Sequence, residues 1–252
     1  MPLNEQIIKI SLFLSLFINI LFLILGILFV AKRGGLLYIS RKISLLWNSK
    51  FRVNTMYDSP FYQDKKTHFE TLPKSEEEII FLGDSLTDLC EWSEFFRNSR
   101  IKNRGICGDT TEGILNRIDN IVESKPQKLF LMIGINDLSQ GRKVEDVLNS
   151  YKLILKTLQE QTPKTKVFIQ SLLPVNTQSF PNRNPELTEK VIQVNATLKE
   201  LAKEFSFQYI DLYSSFLDSN NQLDAHYTSD GVHLKGQGYL IWQGIIEKDV
   251  VN

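Results

Sequence analysis

Apolar positions along this chain follow two regimes. Residues 11–31 form a 21-residue stretch without a charge, rich in Leu, Ile and Phe, with Asn19 as its one strongly polar interior group. It is apolar all round and lacks the polar stripe of a surface helix. At about 1.5 Å per residue it reaches about 30 Å, the thickness of a bilayer core. It runs long and ends in Ala31-Lys32-Arg33, not in the small-residue site that follows a secretory leader. The pattern predicts one uncleaved transmembrane helix within an N-terminal anchor, residues 1–34. Four basic residues at positions 32–42 face Lys9 alone on the other flank. The positive-inside rule then puts the following part on the cytoplasmic side.

From residue 78 the pattern changes to short apolar runs separated by helical periods. The runs 79–82, 128–133, 166–172 and 207–211 are nearly continuous, as expected of strands buried on both faces of a parallel sheet. Between them, Val144, Val147, Leu148, Tyr151, Ile154, Leu155 and Leu158 recur at three- and four-residue spacing. So do Leu187, Val191, Val194, Leu198, Leu201 and Ala202, and Ile241, Ile245 and Ile246 suggest a closing helix. Strand–helix alternation at this spacing predicts an α/β sandwich with a mainly parallel sheet over residues 78–252. Residues 35–77 read as a juxtamembrane lead-in. Its first part is apolar with interspersed basic residues and lies either in the membrane interface or against the domain. Its second part, 48–77, is polar and irregular, a linker or an N-terminal wrap.

Composition sharpens this picture in three places. The 252 residues suit one domain plus an appendage, and 42% hydrophobic against 23% charged residues implies a packed core. The zero net charge hides an asymmetry: residues 43–252 carry 24 basic and 28 acidic side chains, about −4. No polyanion-binding surface is suggested, and nucleic acid is not an expected partner. Cys90 and Cys107 make neither a disulfide framework nor a zinc pattern; they read as two free buried thiols, with a single bridge between them as the alternative. No His and acidic residues stand at metal-ligand spacing, so neither a metal nor a cofactor is predicted.

Ligands of open parallel sheets bind outside the carboxyl ends of the strands. The residues after each run therefore belong together: Gly83-Asp84-Ser85, Gly134-Ile135-Asn136-Asp137, and the loop 174–185, which is expected to set specificity. Ser85 fits two roles, the N-cap of the next helix or a nucleophile activated by a base. It is not the G-x-S-x-G elbow, because Thr87 stands where the second glycine is needed. The chain has three histidines. His233 follows Asp230 by three residues, a spacing that lets the carboxylate reach the imidazole Nδ1–H. His226 reads as structural or as lining the site, and His68 as exposed. Asn136 fits an oxyanion donor or a helix cap. Gly108, in a glycine-containing loop before a helix, fits a backbone donor or a tight turn.

Gly83-Asp84-Ser85-Leu86, Gly108-Asp109-Thr110, Gly134-x-Asn136-Asp137 and Asp230-x-x-His233 resemble, in order, the four signature blocks of the GDSL/SGNH hydrolases. The resemblance spans residues 78–250. It implies a three-layer α/β/α sandwich with a five-stranded, mainly parallel sheet. It implies Ser85 as nucleophile, His233 as base and Asp230 as its orienting acid. The N–H groups of Ser85 and Gly108 and the Asn136 amide would form the oxyanion hole. Within the family, the run from Asn103 to Thr111 and the stretch Ser171-Leu172-Leu173-Pro174 are most similar to the platelet-activating-factor acetylhydrolase catalytic subunits. That group removes short acyl chains such as acetate. This chain departs from it in the N-terminal anchor and in Ile135-Asn136-Asp137, where the group tends to have Thr-Asn-Asn. The expected activity is hydrolysis of a small acyl ester of a glycan or a lipid. Alternatives are a lysophospholipase or thioesterase, an acyltransferase using the same acyl-enzyme, or a binding module with a dead site.

Overall fold

The computed structural model describes residues 11–22, 56–179 and 184–251. The chain divides into two units, residues 1–55 and residues 56–252. In the first, residues 11–22 are helical. The remainder of the expected span, 23–31, lies outside the described residues. Among the described residues no helix is long and apolar enough to cross a membrane.

The second unit is built on five parallel strands: β1 (Ile79–Gly83), β2 (Ile101–Gly105), β3 (Lys128–Met132), β4 (Lys166–Gln170) and β5 (Gln208–Ile210). Their order is β2-β1-β3-β4-β5. The helices are α1 (Pro60–Thr71), α2 (Ser85–Asp88), α3 (Trp92–Phe95), α4 (Thr111–Ser124), α5 (Ile135–Ser139), α6 (Val144–Gln161), α7 (Glu186–Glu204) and α8 (Gly236–Val251).

Side chains alternate across a strand, so each strand feeds two cores. Phe81, Phe130 and Phe168 stand in register on β1, β3 and β4 and stack at 4.8 and 4.4 Å between ring centroids. Trp92 of α3 stacks on Phe81 at 4.4 Å, and Trp242 of α8 meets Trp92 edge-on at 4.9 Å. This aromatic layer holds α3 and α8 on one face. The intervening Ile80, Leu82, Leu129, Leu131, Val167 and Ile169 are buried toward the other face, where α4 packs on α6 and α6 on α7. The expected faces of α6 and α7 are the buried ones. In α8 the buried residues are Gly238, Tyr239, Trp242, Ile246 and Val250; of the expected face only Ile246 is buried, with Ile245 half-buried and Ile241 exposed. Lys128, buried at the start of β3, donates to the Asp249 and Val250 carbonyls in the last turn of α8, where a cation suits the helix dipole.

Three elements depart from the sequence reading. β5, expected to be buried on both faces, is an edge strand with Gln208 exposed and Tyr209 half-buried. β2 carries the polar run Ile-Lys-Asn-Arg-Gly, and as an edge strand it has one neighbour, β1, which lowers its need for a continuous apolar run. The stretch read as irregular contains α1, which begins with Ser59 as N-cap and Pro60 at its first position. It packs on the domain through buried Tyr62 and Phe69. Tyr62 donates to the Gly113 carbonyl at 2.6 Å, and the Arg104 and Arg117 guanidinium groups lie over the Phe69 ring.

Candidate active site

The strand order reverses between β1 and β3, and at such a point the connections leave on opposite faces and open a crevice beyond the strand ends. Ser85 follows β1 and Asn136 follows β3, so both border that crevice. The N-cap of α2 is Asp84, whose Oδ1 accepts from the Leu86 N–H at 3.0 Å. This leaves the Ser85 hydroxyl to a different partner, His233 Nε2, at 2.9 Å. On the far side of the imidazole, Nδ1 lies 2.7 Å from Asp230 Oδ2.

Asp230 Oδ1 also accepts the N–H groups of Val232 and His233, at 3.0 and 2.8 Å. Burial pushes this carboxyl up, but the bonds from the His233 ring and the two N–H groups, together with the imidazole charge, outweigh it and hold Asp230 at about 2. An ionised carboxylate only accepts. The imidazole therefore carries its proton on Nδ1 and turns the lone pair of Nε2 toward Ser85. Such an arrangement can take the serine proton as the hydroxyl attacks and then stabilise the imidazolium.

The short segment bearing this pair is held from two sides. Thr228 Oγ1 accepts from the Asp230 and Gly231 N–H groups, at 3.3 and 2.9 Å. The Asn176 N–H donates to the Gly231 carbonyl at 2.9 Å, and the buried Asn176 amide donates to the Leu223 carbonyl at 2.8 Å. The first half of the loop 174–185 is thus a clamp on the His233 segment. Residues 180–183 of that loop lie outside the described residues.

Gly108 adopts φ +80°, in the left-handed region that glycine enters freely. Among the described residues, neither its N–H nor that of Ser85 has a backbone or side-chain acceptor. Asn136 lies inside α5, whose N-cap is Gly134, so it is not the cap. Its amide donates to the Asp109 carbonyl at 2.9 Å, which ties the Gly108 loop to β3 and α5 and leaves the second amide N–H for another acceptor.

Beneath the crevice lie three buried acids, Asp84, Asp109 and Asp137. Burial pushes all three carboxyls up. Arg117 opposes this at Asp109, with a 2.8 Å ion pair, and also donates to the Gly83 carbonyl. At Asp137 the opposition comes from two Thr111 bonds and from Arg142 at 2.6 Å. Asp84 has no arginine and rises to about 7. Neither arginine stood out in the sequence: Arg117 in a helical period looks like a solvated face, and Arg142 lies in the polar connection between α5 and α6.

The other titratable candidates take no part in the Ser85–His233–Asp230 hydrogen bonds. His226 is exposed and bonds Asp224 at 2.7 Å, and His68 is exposed on α1. Both cysteines are free, Cys90 buried and Cys107 partly so. Among the described residues no group of three metal-ligating side chains comes together.

The pattern of the GDSL-like Lipase/Acylhydrolase family matches residues 81–241. Over 171 residues the chain is 30% identical to the platelet-activating factor acetylhydrolase IB subunit alpha2 of Homo sapiens, covering 65% of this chain and 72% of that protein. A solved structure from Streptococcus pneumonia, described as a platelet activating factor, matches with a TM-score of 0.70 at 25% identity, over 84% of this chain and 99% of that one. An acetylxylan esterase from Geobacillus stearothermophilus is alike in fold, with a TM-score of 0.59 at 19% identity, over 71% and 96% of the two chains.

Proposed function

The chain belongs to the GDSL-like lipase/acylhydrolase family, whose members hydrolyse esters, and from that premise we propose that it is a serine esterase that removes small acyl groups, acetyl above all. The observation that carries this reading is the continuous relay from Ser85 Oγ through His233 to an ionised Asp230, at 2.9 and 2.7 Å. Ser85 Oγ attacks the ester carbonyl carbon while its proton passes to His233 Nε2. The tetrahedral oxyanion accepts hydrogen bonds from the Ser85 and Gly108 N–H groups and the Asn136 amide. The C–O bond breaks, and the leaving alcohol takes the proton from His233. Water then repeats the sequence on the acyl-Ser85 ester and releases the acid. The preference for acetyl is supported by the 30% identity to a protein named an acetylhydrolase.

The activity is assigned here to a membrane surface, with residues 11–31 as a single-pass anchor and the catalytic unit on the cytoplasmic side. The helix over 11–22 supports this, since Leu12, Phe13, Phe17 and Phe22 are 63–72% exposed on it. Extraction of the chain from membranes by alkaline carbonate would refute the anchor, and digestion of the domain by protease added outside sealed cells would refute the side.

The test of the chemistry is hydrolysis of a p-nitrophenyl ester series, acetate to palmitate, by the full chain and by Ser85→Ala. Acetate and butyrate are cleaved fastest, and the variant is inert. Turnover that survives in the variant overturns the mechanism. A maximum at long chains overturns the acetyl preference in favour of a lysophospholipase, and transfer to an added alcohol without hydrolysis favours an acyltransferase.

A further inference from the structure

We propose that Lys65, on α1, is a positioning residue for the oxyanion loop, acting through Asp88; the inference rests on the esterase reading above. Asp88 ends α2, three residues after Ser85, and its side chain is 11% exposed. Its two oxygens do different work. Oδ1 accepts from Lys65 Nζ at 2.7 Å, and Oδ2 accepts from the Cys107 N–H at 3.2 Å. Cys107 is joined by one peptide unit to Gly108, the proposed donor. The carboxylate therefore fixes the backbone immediately before the donor.

The rest of the loop is pinned on either side. The Gly105 N–H donates to Asn103 Oδ1 at 2.8 Å, and the Asp109 carbonyl accepts from Asn136. Between these two ties the Ile106 N–H donates to the Gly83 carbonyl at 3.2 Å, and the Asp109 N–H closes the turn on the Ile106 carbonyl at 3.0 Å. Within that turn the Cys107 bond sets the tilt of the Cys107–Gly108 peptide, which carries the Gly108 N–H. A carboxylate can turn about its last side-chain torsion. The Lys65 ammonium holds one oxygen and thereby presents the other to Cys107. It also balances the negative charge of Asp88, which otherwise stands close to the place where the oxyanion develops and opposes it. Both effects act on the transition state and leave ground-state binding of a neutral ester alone.

Docking of α1 does not depend on this contact. Tyr62 is buried and bonded to Gly113, and Phe69 keeps two guanidinium groups over its ring when the Lys65 ammonium, 5.7 Å from the same ring, is removed. A change at Lys65 thus tests position and charge and leaves the fold in place.

The experiment compares the full wild-type chain with Lys65→Met, Lys65→Arg and Ser85→Ala. It reads kcat and KM on p-nitrophenyl acetate, Ki for an aryl trifluoromethyl ketone, and Tm. The ketone adds to the serine as an oxyanion and so reports on the hole directly. Lys65→Met is expected to lower kcat by about 10- to 100-fold, less than or comparable to the loss of a whole donor. Ki rises by the same factor, KM and Tm stay near wild type, and Lys65→Arg restores most of kcat. Wild-type kcat and Ki in Lys65→Met overturn the inference, as does a loss carried by KM alone. If Lys65→Met does not fold, Lys65→Gln, which keeps a polar chain on that helix face, carries the same measurements. Turnover by the wild type that persists in Ser85→Ala, or no turnover at all, overturns the esterase reading and this inference with it.

Discussion

Asp84→Asn isolates the buried acid that has no cationic partner. Asp84 is fully buried, and its Oδ2 has no hydrogen-bond partner among the described residues. Burial, then the neighbouring Asp109 and Asp137 charges, raise the carboxyl from 3.8 to about 7, against the Leu86 bond. In the unfolded chain it ionises near 3.8. Below that pH both states are protonated and the residue costs nothing. As pH rises toward 7, only the unfolded state gains by ionising, so stability falls, and the loss is complete above the folded value. A displacement of about three units at about 1.4 kcal/mol each amounts to about 4 kcal/mol. Asparagine keeps the shape and the acceptor for Leu86 but cannot ionise. Its buried amide N–H costs about 1–3 kcal/mol at every pH, which shifts its curve without tilting it. Urea unfolding of both proteins at pH 5, 6, 7 and 8 is the assay. The stability of the wild type relative to the variant should fall by about 2 kcal/mol between pH 5 and 7 and then level off. Parallel curves would refute the claim that Asp84 is held protonated.

Three further predictions follow from the site and the sheet. Asp230→Asn should leave Tm unchanged and lower kcat by roughly 10⁴, the loss known for the corresponding change in a serine protease triad; a loss below tenfold would deny Asp230 its role. Arg117→Met strands Asp109, which is 1% exposed, and should cost about 3–5 kcal/mol, read as a Tm drop of at least about 6 °C; a drop under 2 °C would contradict the pairing. Gly105→Ala would bring a Cβ to 2.2 Å from the Asp88 nitrogen and 2.6 Å from its Cα. Backbone cannot yield there, so α2 would be forced off β2 and turnover lost with the displaced Ser85; a variant with wild-type kcat would count against that packing.

How much of this was legible beforehand depended on whether a residue's role is written in its neighbours. β1, β3 and β4 are buried on both faces, so their apolar runs announced them. β2 did not, because an edge strand can be polar. The hydrogen-bonded series Ser85–His233–Asp230 was legible because His233 and Asp230 are three residues apart and Ser85 follows a strand. Whether Ser85 or Asp84 caps α2 was not, since both residue types cap well and only the bond to the Leu86 N–H decides it. Asp88, Asn176 and Arg117 act across separations of 19, 47 and 34 residues, on Cys107, Leu223 and Gly83. No local pattern encodes a partner that distant. The lead-in helix left one trace, Ser59-Pro60, a start signal that a polar stretch made easy to pass over.

The two halves of the relay are also two halves of the chain. Ser85, Gly108 and Asn136 all precede the loop between β4 and α7, while Asp230 and His233 both follow it. A break in that loop would leave one fragment with a hydroxyl and its donors but no base. The other would hold an oriented imidazole with nothing to deprotonate. Neither piece could turn over an ester by this chemistry, and a mixture could do so only after Ser85 Oγ and His233 Nε2, 148 residues apart in sequence, had met again at 2.9 Å. Ester cleavage by such a nicked pair would be a direct optical count of reassembled molecules, with a background set by the inert fragments.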